Sequence, residues 1–387
     1  MLRNVKLKKL IKSTIMPIFS AVNKVVPKDD RKVLLYGANF GIEHNLKPLK
    51  DFLIEEGYNK KYSIQCGVSD KKYFEDDGLK YSTKIETILF FLRAKHVFYT
   101  AGQIPIKPSK NQIVIHMNHG TSDFKTMGKL TKINNGDEFF FSYICVPGDY
   151  YVPIAAQEYG CSEKNVYVNS EPMTDALLEP IKEDYHLHQH FSKVLVWLPT
   201  FRQSDFLGYS NSTNNEPLLI FTESEYTQLN KRLEELNILL IVKLHPAQTL
   251  SNYNEAEYSN LWILSNEDMK KKGFDLYQLV RQSDALEGDY SSISLQYLLM
   301  DKPLAFVIPD IDVYAKERGF VFSNPEEYMP GHKIKKVSEF YAFLDDIAED
   351  KDDYKEERHR IKKIIHKYDD GRSCERLMKL SKMSVSE

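Results

Sequence analysis

Four polar clusters in the 387-residue chain each follow directly on a short apolar run. They contain imidazoles, a guanidinium group and hydroxyls, and they read HMNHGT at 116–121, PTFR at 199–202, KLHP at 243–246 and GDYSS at 288–292. Backbone N–H groups at a helix start bind phosphate oxygens, and an arginine can grip the same oxygens with two parallel hydrogen bonds. Together, the clusters predict a site that holds a diphosphate.

Each cluster taken alone has a more ordinary explanation. Ser291 and Ser292 stand before the apolar positions of a short helix, where serine is also a common helix cap. A single histidine after a strand is more often a hydrogen-bonded loop residue than a catalyst, and Arg202 alone could be a surface cation. The recurrence of all four clusters at the same structural position favours a common binding site.

The elements that must position these clusters alternate between strands and helices, which predicts an α/β fold. Apolar runs such as KVLLYGA, NQIVIHM, KVLVWL and ILLIVKL are typical of strands, and LKPLKDFLIEEG and YTQLNKRLEELN of helices. In such sheets ligands bind outside the carboxyl ends of the strands, where all four clusters fall. We therefore predict two doubly wound, Rossmann-type domains facing each other across a cleft, at 29–180 and 190–387, with a polar linker near 169–191.

The first 28 residues differ in charge from the rest of the chain. Seven of them are basic and none is acidic, since the first carboxylate is Asp29. Leu7, Leu10, Ile11 and Ile15 have helical spacing, with lysines on the other side. This pattern predicts an amphipathic helix on an anionic membrane surface, ending or kinked at the proline at position 17, although packing on the protein itself would produce the same pattern.

Composition excludes several classes of protein. The formal net charge is −3, with 28% charged and 42% hydrophobic residues, so no overall basicity points to a nucleic-acid partner. The four cysteines lie far apart without a CxxC pair, which excludes a zinc ribbon and a disulfide framework and indicates a reducing, cytosolic setting. No apolar run approaches the ~18 residues that span a bilayer.

Two short motifs raise the question of a metal ion. DID at 310–312 superficially matches the Asp-x-Asp of metal-dependent glycosyltransferases, and HLHQH at 186–190 carries three alternate histidines. The first motif is common by chance, and the second is typical of a solvated linker. Because Arg202 and a helix start can neutralise phosphates without an ion, we expect neither a metal nor another cofactor.

Six segments, in order, resemble the motifs of the CDP-glycerol glycerophosphotransferase family, whose members build teichoic acids and some capsule polymers in bacteria. They read HGTSDFKTMG, PTFR, VKLHP, DYSSISLQYLLMDKP, DIDVYAKERGF and DDGRSCERL, and EPMTDALL at 171–178 resembles the family's Pro-x-x-Asp segment. The resemblance spans 31–377 and implies a GT-B fold, a CDP-glycerol or CDP-ribitol donor, and CMP as leaving group. It also implies a lipid-linked saccharide acceptor and a peripheral location on the cytoplasmic face of the membrane. Because its N-terminal extension is short, the chain resembles the family enzymes that add the first polyol phosphate.

The resemblance carries the family's two important histidines onto His119 and His245. We expect His119 to be the general base on the acceptor hydroxyl, and His245 to bind the diphosphate with Arg202, although these two roles could be exchanged. The expected substrate-binding residues are Gly120, Thr121, Thr200, Arg202, Asp289, Ser291, Ser292 and Arg318.

This chain departs from the family pattern in three places. Asn118 replaces the usual tryptophan before the His-Gly pair, and Ser122, Asp123 and Phe124 replace a shorter, proline-containing stretch. Gly288 replaces the usual threonine before Asp289. The first two departures lie on the expected acceptor side, so the resemblance specifies the donor better than the acceptor.

Two other classes of function share part of this pattern. A GT-B glycosyltransferase that uses a nucleotide sugar would have the same fold and phosphate site, but it would release a nucleoside diphosphate. A membrane-associated scaffold would release no nucleotide, and it has no need of two histidines and an arginine at strand ends. We therefore predict transfer of a polyol phosphate, with glycerol phosphate as the expected unit.

Overall fold

The computed structural model describes residues 14, 16–38, 41–118, 123–131, 138–200, 203–204, 209–210, 218–244 and 258–385. The chain forms two compact units, each built from more than one segment. The first unit comprises Met1–Thr121, Asn135–Asp175 and Asp370–Glu387, and the second comprises Ser122–Asn134 and Ala176–Asp369.

The first unit contains a seven-stranded sheet in which all neighbouring strands run parallel. Its strands are β1 (Asp29–Ala38), β2 (Ser63–Val68), β3 (Lys80–Thr83), β4 (Ala94–Tyr99), β5 (Ile113–His116), β6 (Tyr143–Val146) and β7 (Val166–Val168). Their order is β3-β2-β1-β4-β5-β6-β7, so the chain builds outward from β1 and then from β4. This is a doubly wound topology.

The second unit contains a six-stranded parallel sheet with the order β12-β11-β8-β13-β14-β15. Its strands are β8 (Lys193–Trp197), β11 (Ile238–Lys243), β12 (Leu261–Leu264), β13 (Ala285–Gly288), β14 (Leu304–Val307) and β15 (His332–Ile334). A separate antiparallel pair consists of β9 (Gln203–Ser204) and β10 (Tyr209–Ser210). The prediction of an α/β fold is confirmed.

Fourteen α-helices lie within the described residues. They are α1 (Met16–Val25), α2 (Leu46–Glu55), α3 (Tyr58–Lys61), α4 (Lys84–Arg93), α5 (Val152–Tyr159), α6 (Pro172–Asp175), α7 (Tyr226–Glu235), α8 (Asn266–Lys271), α9 (Leu276–Gln282), α10 (Ser292–Gln296), α11 (Ile311–Glu317), α12 (Val337–Ala348), α13 (Lys355–Ile365) and α14 (Ser373–Ser381). None of them combines the length and the apolar character needed to cross a bilayer.

The central strands appear in the sequence as unbroken apolar runs because both faces of a parallel sheet are covered. Val194, Leu195, Val196 and Trp197 in β8 are all fully buried. On one face of the sheet, the Trp197 ring packs on the Phe340 ring of α12, with the ring centroids 5.3 Å apart. The strands around the predicted phosphate site therefore form a rigid base.

The units are discontinuous, whereas the sequence suggested contiguous domains at 29–180 and 190–387. The boundary at Asp175 lies within the predicted linker, but the last helix, α14, belongs to the first unit. Asp175, which is buried, accepts hydrogen bonds from the Ser373 backbone N–H at 2.9 Å and from the Ser373 hydroxyl. The C-terminal DDGRSCERL segment is thus fastened to EPMTD, far away in the sequence.

The basic N-terminal segment is described only in part. The amphipathic stretch from Leu7 to Ile15 lies outside the described residues, except for Thr14. A described helix, α1, begins at Met16 with Pro17 in its first turn, where proline is tolerated because the N–H groups there have no helical partner. Asn23 of α1 is fully buried and donates to the backbone carbonyl of Lys107 and to the side chain of Gln112, both at 2.9 Å.

Candidate active site

The second sheet reverses its strand order between β8 and β13. The chain adds β11 and β12 on one side of β8, then returns to place β13, β14 and β15 on the other side. A crevice for a ligand forms outside the carboxyl ends of the strands at such a switch point. Thr200 follows β8 and Asp289 follows β13, so two predicted site residues lie at this point.

Thr200 and Asp289 join the two loops of the switch point. Asp289 is fully buried, and Thr200 is 6% exposed. One carboxylate oxygen of Asp289 accepts the Thr200 backbone N–H at 2.9 Å, and the other accepts the Thr200 hydroxyl. Hydrogen bonds to a carboxylate are stronger than those between neutral groups, so this pair holds the PTFR loop against the GDYSS loop.

Ser291 and Ser292 open helix α10 immediately beyond this clamp. Ser291 occupies the N-cap position with extended backbone (φ −79°, ψ 144°), yet its side chain forms no capping hydrogen bond. Both serines are half-buried, and neither hydroxyl has a partner among the described protein groups. The interpretation of GDYSS as only a helix cap is therefore weakened.

Gly288 leaves room for helix α10 to pack on the end of β13. A Cβ atom at Gly288 would lie 2.0 Å from the Ser294 hydroxyl oxygen, which real atoms do not tolerate. Ser294 itself is fully buried. A larger residue at position 288 of this chain would therefore require the Ser294 side chain to move.

Tyr290 anchors the GDYSS loop through a buried side chain. It is fully buried, and its hydroxyl donates a hydrogen bond to the Asp310 carboxylate at 3.0 Å. Its ring packs on that of Tyr314, with the ring centroids 4.2 Å apart. Asp310, the first residue of the DID motif, is thus used in a structural contact. Among the described residues, no three histidine, cysteine or carboxylate side chains lie close enough to hold a metal ion, at DID or at HLHQH.

Arg318 follows helix α11, which itself follows β14. Its guanidinium lies 3.7 Å from the Met127 sulfur, and its backbone carbonyl accepts a hydrogen bond from the Thr126 hydroxyl at 3.2 Å. It is half-buried, and it has no ion pair in the described part of the chain. A cation left without a protein counter-ion near a strand-end crevice is suited to an anionic ligand.

Near this crevice, one ionisable residue was given no role by the sequence interpretation, and a second was missed. Lys243 ends β11, next to β8, and burial lowers the pKa of its amine to about 8. Its Nζ donates to the Leu244 carbonyl at 2.6 Å, and it forms no ion pair with a described residue. Glu287 in β13 is fully buried, and burial raises its pKa well above the usual range. A charged residue inside an otherwise apolar run was the available signal for both.

In the first unit, the chain leading to His119 is held by polar contacts. Asn118 has a left-handed backbone (φ 61°), which asparagine adopts more readily than most residues. Its side chain donates to Tyr159 at 3.1 Å, and its carbonyl accepts from Asn45 at 2.9 Å. His116 is a structural histidine: it is 6% exposed, bonds the Thr100 carbonyl at 2.6 Å and stacks on an adjacent tyrosine.

Several predicted site residues lie outside the described residues, so their contacts are not part of the site as described. They are His119, Gly120, Thr121, Arg202 and His245. The described members (Thr200, Asp289, Ser291, Ser292 and Arg318) all belong to the second unit. Their roles in binding a substrate stay predictions.

Two doubly wound parallel sheets in one chain define the GT-B-like class of fold, and a solved structure shows the same arrangement. A variant of the wall teichoic acid polymerase TagF, soaked with CDPG, aligns with a TM-score of 0.72 over 98% of this chain and 96% of that chain, at 19% identity. Residues 18–381 match the family described as CDP-glycerol:poly(glycerophosphate) glycerophosphotransferase, and the chain belongs to this family.

Curated relatives act on two different polyols. The teichoic acid ribitol-phosphate polymerase TarL of Staphylococcus aureus is 26% identical over 87% of this chain and 59% of its own length. The ribitol-phosphate primase of Bacillus spizizenii is 28% identical over 61% of this chain and 58% of its own length. The glycerol-phosphate primase of the same species is 28% identical over 54% of this chain and 49% of its own length. The chain thus spans half or little more of the length of these relatives.

Proposed function

We propose that this chain transfers a polyol phosphate from a CDP-polyol to a hydroxyl of a membrane lipid-linked saccharide or polymer and releases CMP, in teichoic acid or capsule synthesis. The observation that carries the proposal is the Thr200–Asp289 clamp at the switch point of the second sheet. Ser291 and Ser292, whose hydroxyls have no partner among the described residues, follow Asp289 directly, in a chain of the glycerophosphotransferase family. These groups suit the diphosphate of the donor.

The reaction requires in-line displacement at phosphorus. The oxygen of the acceptor hydroxyl forms a bond to the phosphorus that bears the polyol, and the bond from that phosphorus to the bridging oxygen of CMP breaks. The hydroxyl proton passes to His119, and the negative charge on the departing phosphate is stabilised by His245, Arg202 and the serine hydroxyls. Positioning and charge stabilisation supply the catalysis, so no cofactor is required in this scheme.

We propose glycerol phosphate as the unit transferred, with ribitol phosphate as the competing donor. The family description names glycerol, while two of the relatives described above act on ribitol phosphate. The serine hydroxyls and Arg318 suit the phosphates common to both donors, so they give no basis for discriminating glycerol from ribitol.

The proposal is tested by incubating the purified chain with CDP-glycerol, CDP-ribitol and a panel of nucleotide sugars, together with a synthetic lipid-linked disaccharide. We expect release of CMP from CDP-glycerol and a product mass increased by whole glycerol phosphate units. Release of a nucleoside diphosphate from a nucleotide sugar would instead identify a glycosyltransferase. An absence of nucleotide release from every donor would favour a scaffold.

We also infer that the first unit binds an anionic membrane surface from the cytoplasmic side. Helices α1 and α4 pack on the same apolar core, and each exposes an apolar stripe at helical spacing. Ile18 and Val25 of α1 are 64% and 79% exposed, and Ile85 and Leu89 of α4 are 58% and 56% exposed. Lys28, after α1, donates to the backbone carbonyl of Leu92 in α4, which joins the two helices. With the basic residues before them, these stripes are suited to the interface of a bilayer.

Replacing Ile85 and Leu89 together with glutamate is expected to weaken binding to anionic vesicles by ~10- to 100-fold, since two apolar contacts are lost and two charges are added. Vesicle co-sedimentation at several salt concentrations measures this, and binding by the wild type should fall as salt screens the lysines. Ile181→Glu, at an exposed apolar site of the second unit (45% exposed), is the matched control. Equal vesicle binding by the double variant and the control would remove α4 from the membrane surface.

A further inference from the structure

The segment that follows the predicted catalytic histidine belongs to the second unit, although the sequence before it forms the first. Phe124 is fully buried, and its ring centroid lies 6.0 Å from that of Phe306 and 5.4 Å from that of Phe322. Its carbonyl accepts the Val321 N–H at 2.8 Å, and the next residue forms an antiparallel bridge with Phe320. Phe124, one of the residues that depart from the family pattern, thus anchors the segment in the second unit.

This anchoring brings two cations to one buried carboxylate. Asp123 is 8% exposed, and its oxygens lie 3.1 Å from the Lys125 backbone N–H and 3.4 Å from Lys125 Nζ. Burial raises the pKa of Asp123, and the nearby charges of Lys125 and Arg318 act in the opposite direction. The carboxylate therefore holds Lys125, and the charge of Arg318 also acts on it.

The cluster carries more positive than negative charge. In the described part of the chain, the only ion pair of Lys125 is with Asp123, and Arg318 has none. The half-buried guanidinium of Arg318 forms no ion pair with a described residue, and guanidinium groups bind phosphate oxygens strongly. The geometry thus favours an anion that is bound by both cations.

The cluster lies next to the GDYSS loop within the same unit. Phe320, which bridges to Lys125, packs at 5.2 Å from Tyr290, the residue directly before Ser291. Tyr314 of α11 packs at 5.6 Å from Phe320 and completes this aromatic core under both segments. Two cations and two serine hydroxyls are therefore carried by one rigid set of side chains.

We propose that Lys125 and Arg318 bind a phosphoryl group of the substrate, and that Asp123 is the positioning residue that orients Lys125 for this contact. The inference rests on the proposed function, in which the donor carries a diphosphate and a growing acceptor carries a phosphodiester next to its terminal polyol. Either phosphate has the required charge. The bound group differs from the CMP phosphate, which the serine hydroxyls, Arg202 and His245 are expected to hold.

The experiment compares Lys125→Met with the wild type in binding of CDP-glycerol and of CMP by calorimetry. If the site holds the polyol-bearing phosphate of the donor, CDP-glycerol affinity falls about 10- to 100-fold, the range for one lost charged hydrogen bond, while CMP affinity is unchanged. If it holds an acceptor phosphate, both affinities are retained, and KM rises only for an acceptor that ends in a glycerol phosphate. Lys125→Arg should restore most of the lost affinity. Asp123→Asn should show the same substrate selectivity with a smaller effect.

Lys316→Met is the matched control, because Lys316 is exposed on α11 two residues before Arg318. Unchanged affinities and KM values in Lys125→Met would overturn the proposal, and so would an equal loss of CMP and CDP-glycerol binding. Binding of pyrophosphate to wild type and variant is a separate arm that requires no CDP-polyol activity. If the wild type releases no CMP, but Lys125→Met binds pyrophosphate more weakly than the wild type does, the anion site stands and the proposed function fails.

Discussion

Replacing His119 with alanine is expected to lower turnover by ~10²- to 10⁴-fold while CDP-glycerol affinity stays near the wild-type value. A general base acts on the acceptor hydroxyl, so its loss slows the chemical step and leaves donor binding intact. His245→Ala is expected to be as inactive, but it should also weaken donor binding, since His245 is predicted beside the phosphates. Calorimetry with CDP-glycerol and single-turnover rates separate the two variants.

The pH dependence of the rate provides a second measurement of the same assignment. The wild-type profile should rise through the pKa of an imidazole, ~6.5, because only the neutral ring accepts a proton. This ascending limb should disappear in His119→Ala and remain in the residual activity of His245→Ala. Near-wild-type turnover in His119→Ala would remove the assignment of the base. Loss of donor binding in that variant alone would mean that the two histidines exchange roles.

Asp289→Ala is expected to destabilise the protein by about 2–4 kcal/mol and to reduce turnover by ~10²-fold. The variant leaves the Thr200 N–H and hydroxyl without their acceptors in a buried position, which carries a large desolvation penalty. The loop that leads to Arg202 then loses its attachment to β13, and a displacement of about 1 Å can lower a rate ~10²-fold. Urea unfolding and steady-state kinetics measure the two effects.

Thr200→Val and the serine variants are the comparisons for Asp289→Ala. If the clamp acts as one unit, Asp289→Ala and Thr200→Val should be strongly non-additive in a double-mutant cycle. The combined Ser291→Ala and Ser292→Ala change should leave the free energy of unfolding near the wild-type value and weaken CDP-glycerol binding. Additive effects of the first pair, or unchanged donor binding in the serine variant, would contradict the description of this site.

Much of the fold could be predicted from apolar patterns. The runs that became β1, β5, β8 and β11 stand out because strands in a parallel sheet are buried on both faces and contain few polar residues. The short helix predicted after Ser291 and Ser292 is also present, as Ser292–Gln296.

The chain's discontinuous units could not be predicted in this way. Local patterns do not show that α14 returns to the first unit or that Phe124 is anchored in the second, because both depend on contacts between distant segments. Lys243, within the KLHP cluster, was given no role, and Glu287 was overlooked, since the meaning of a single charged residue in a strand depends on which strands lie beside it.

The sequence by itself determined the α/β class, the placement of polar clusters after strands, and the family, because these follow from short-range patterns and ordered motifs. Only the tertiary structure decided that Asp289 holds Thr200, 89 positions away, and that Lys125 lies with Arg318 around Asp123. The order of strands in the sheet sets which loops meet at the switch point. That order arises from packing of the whole unit, which no local stretch of sequence encodes.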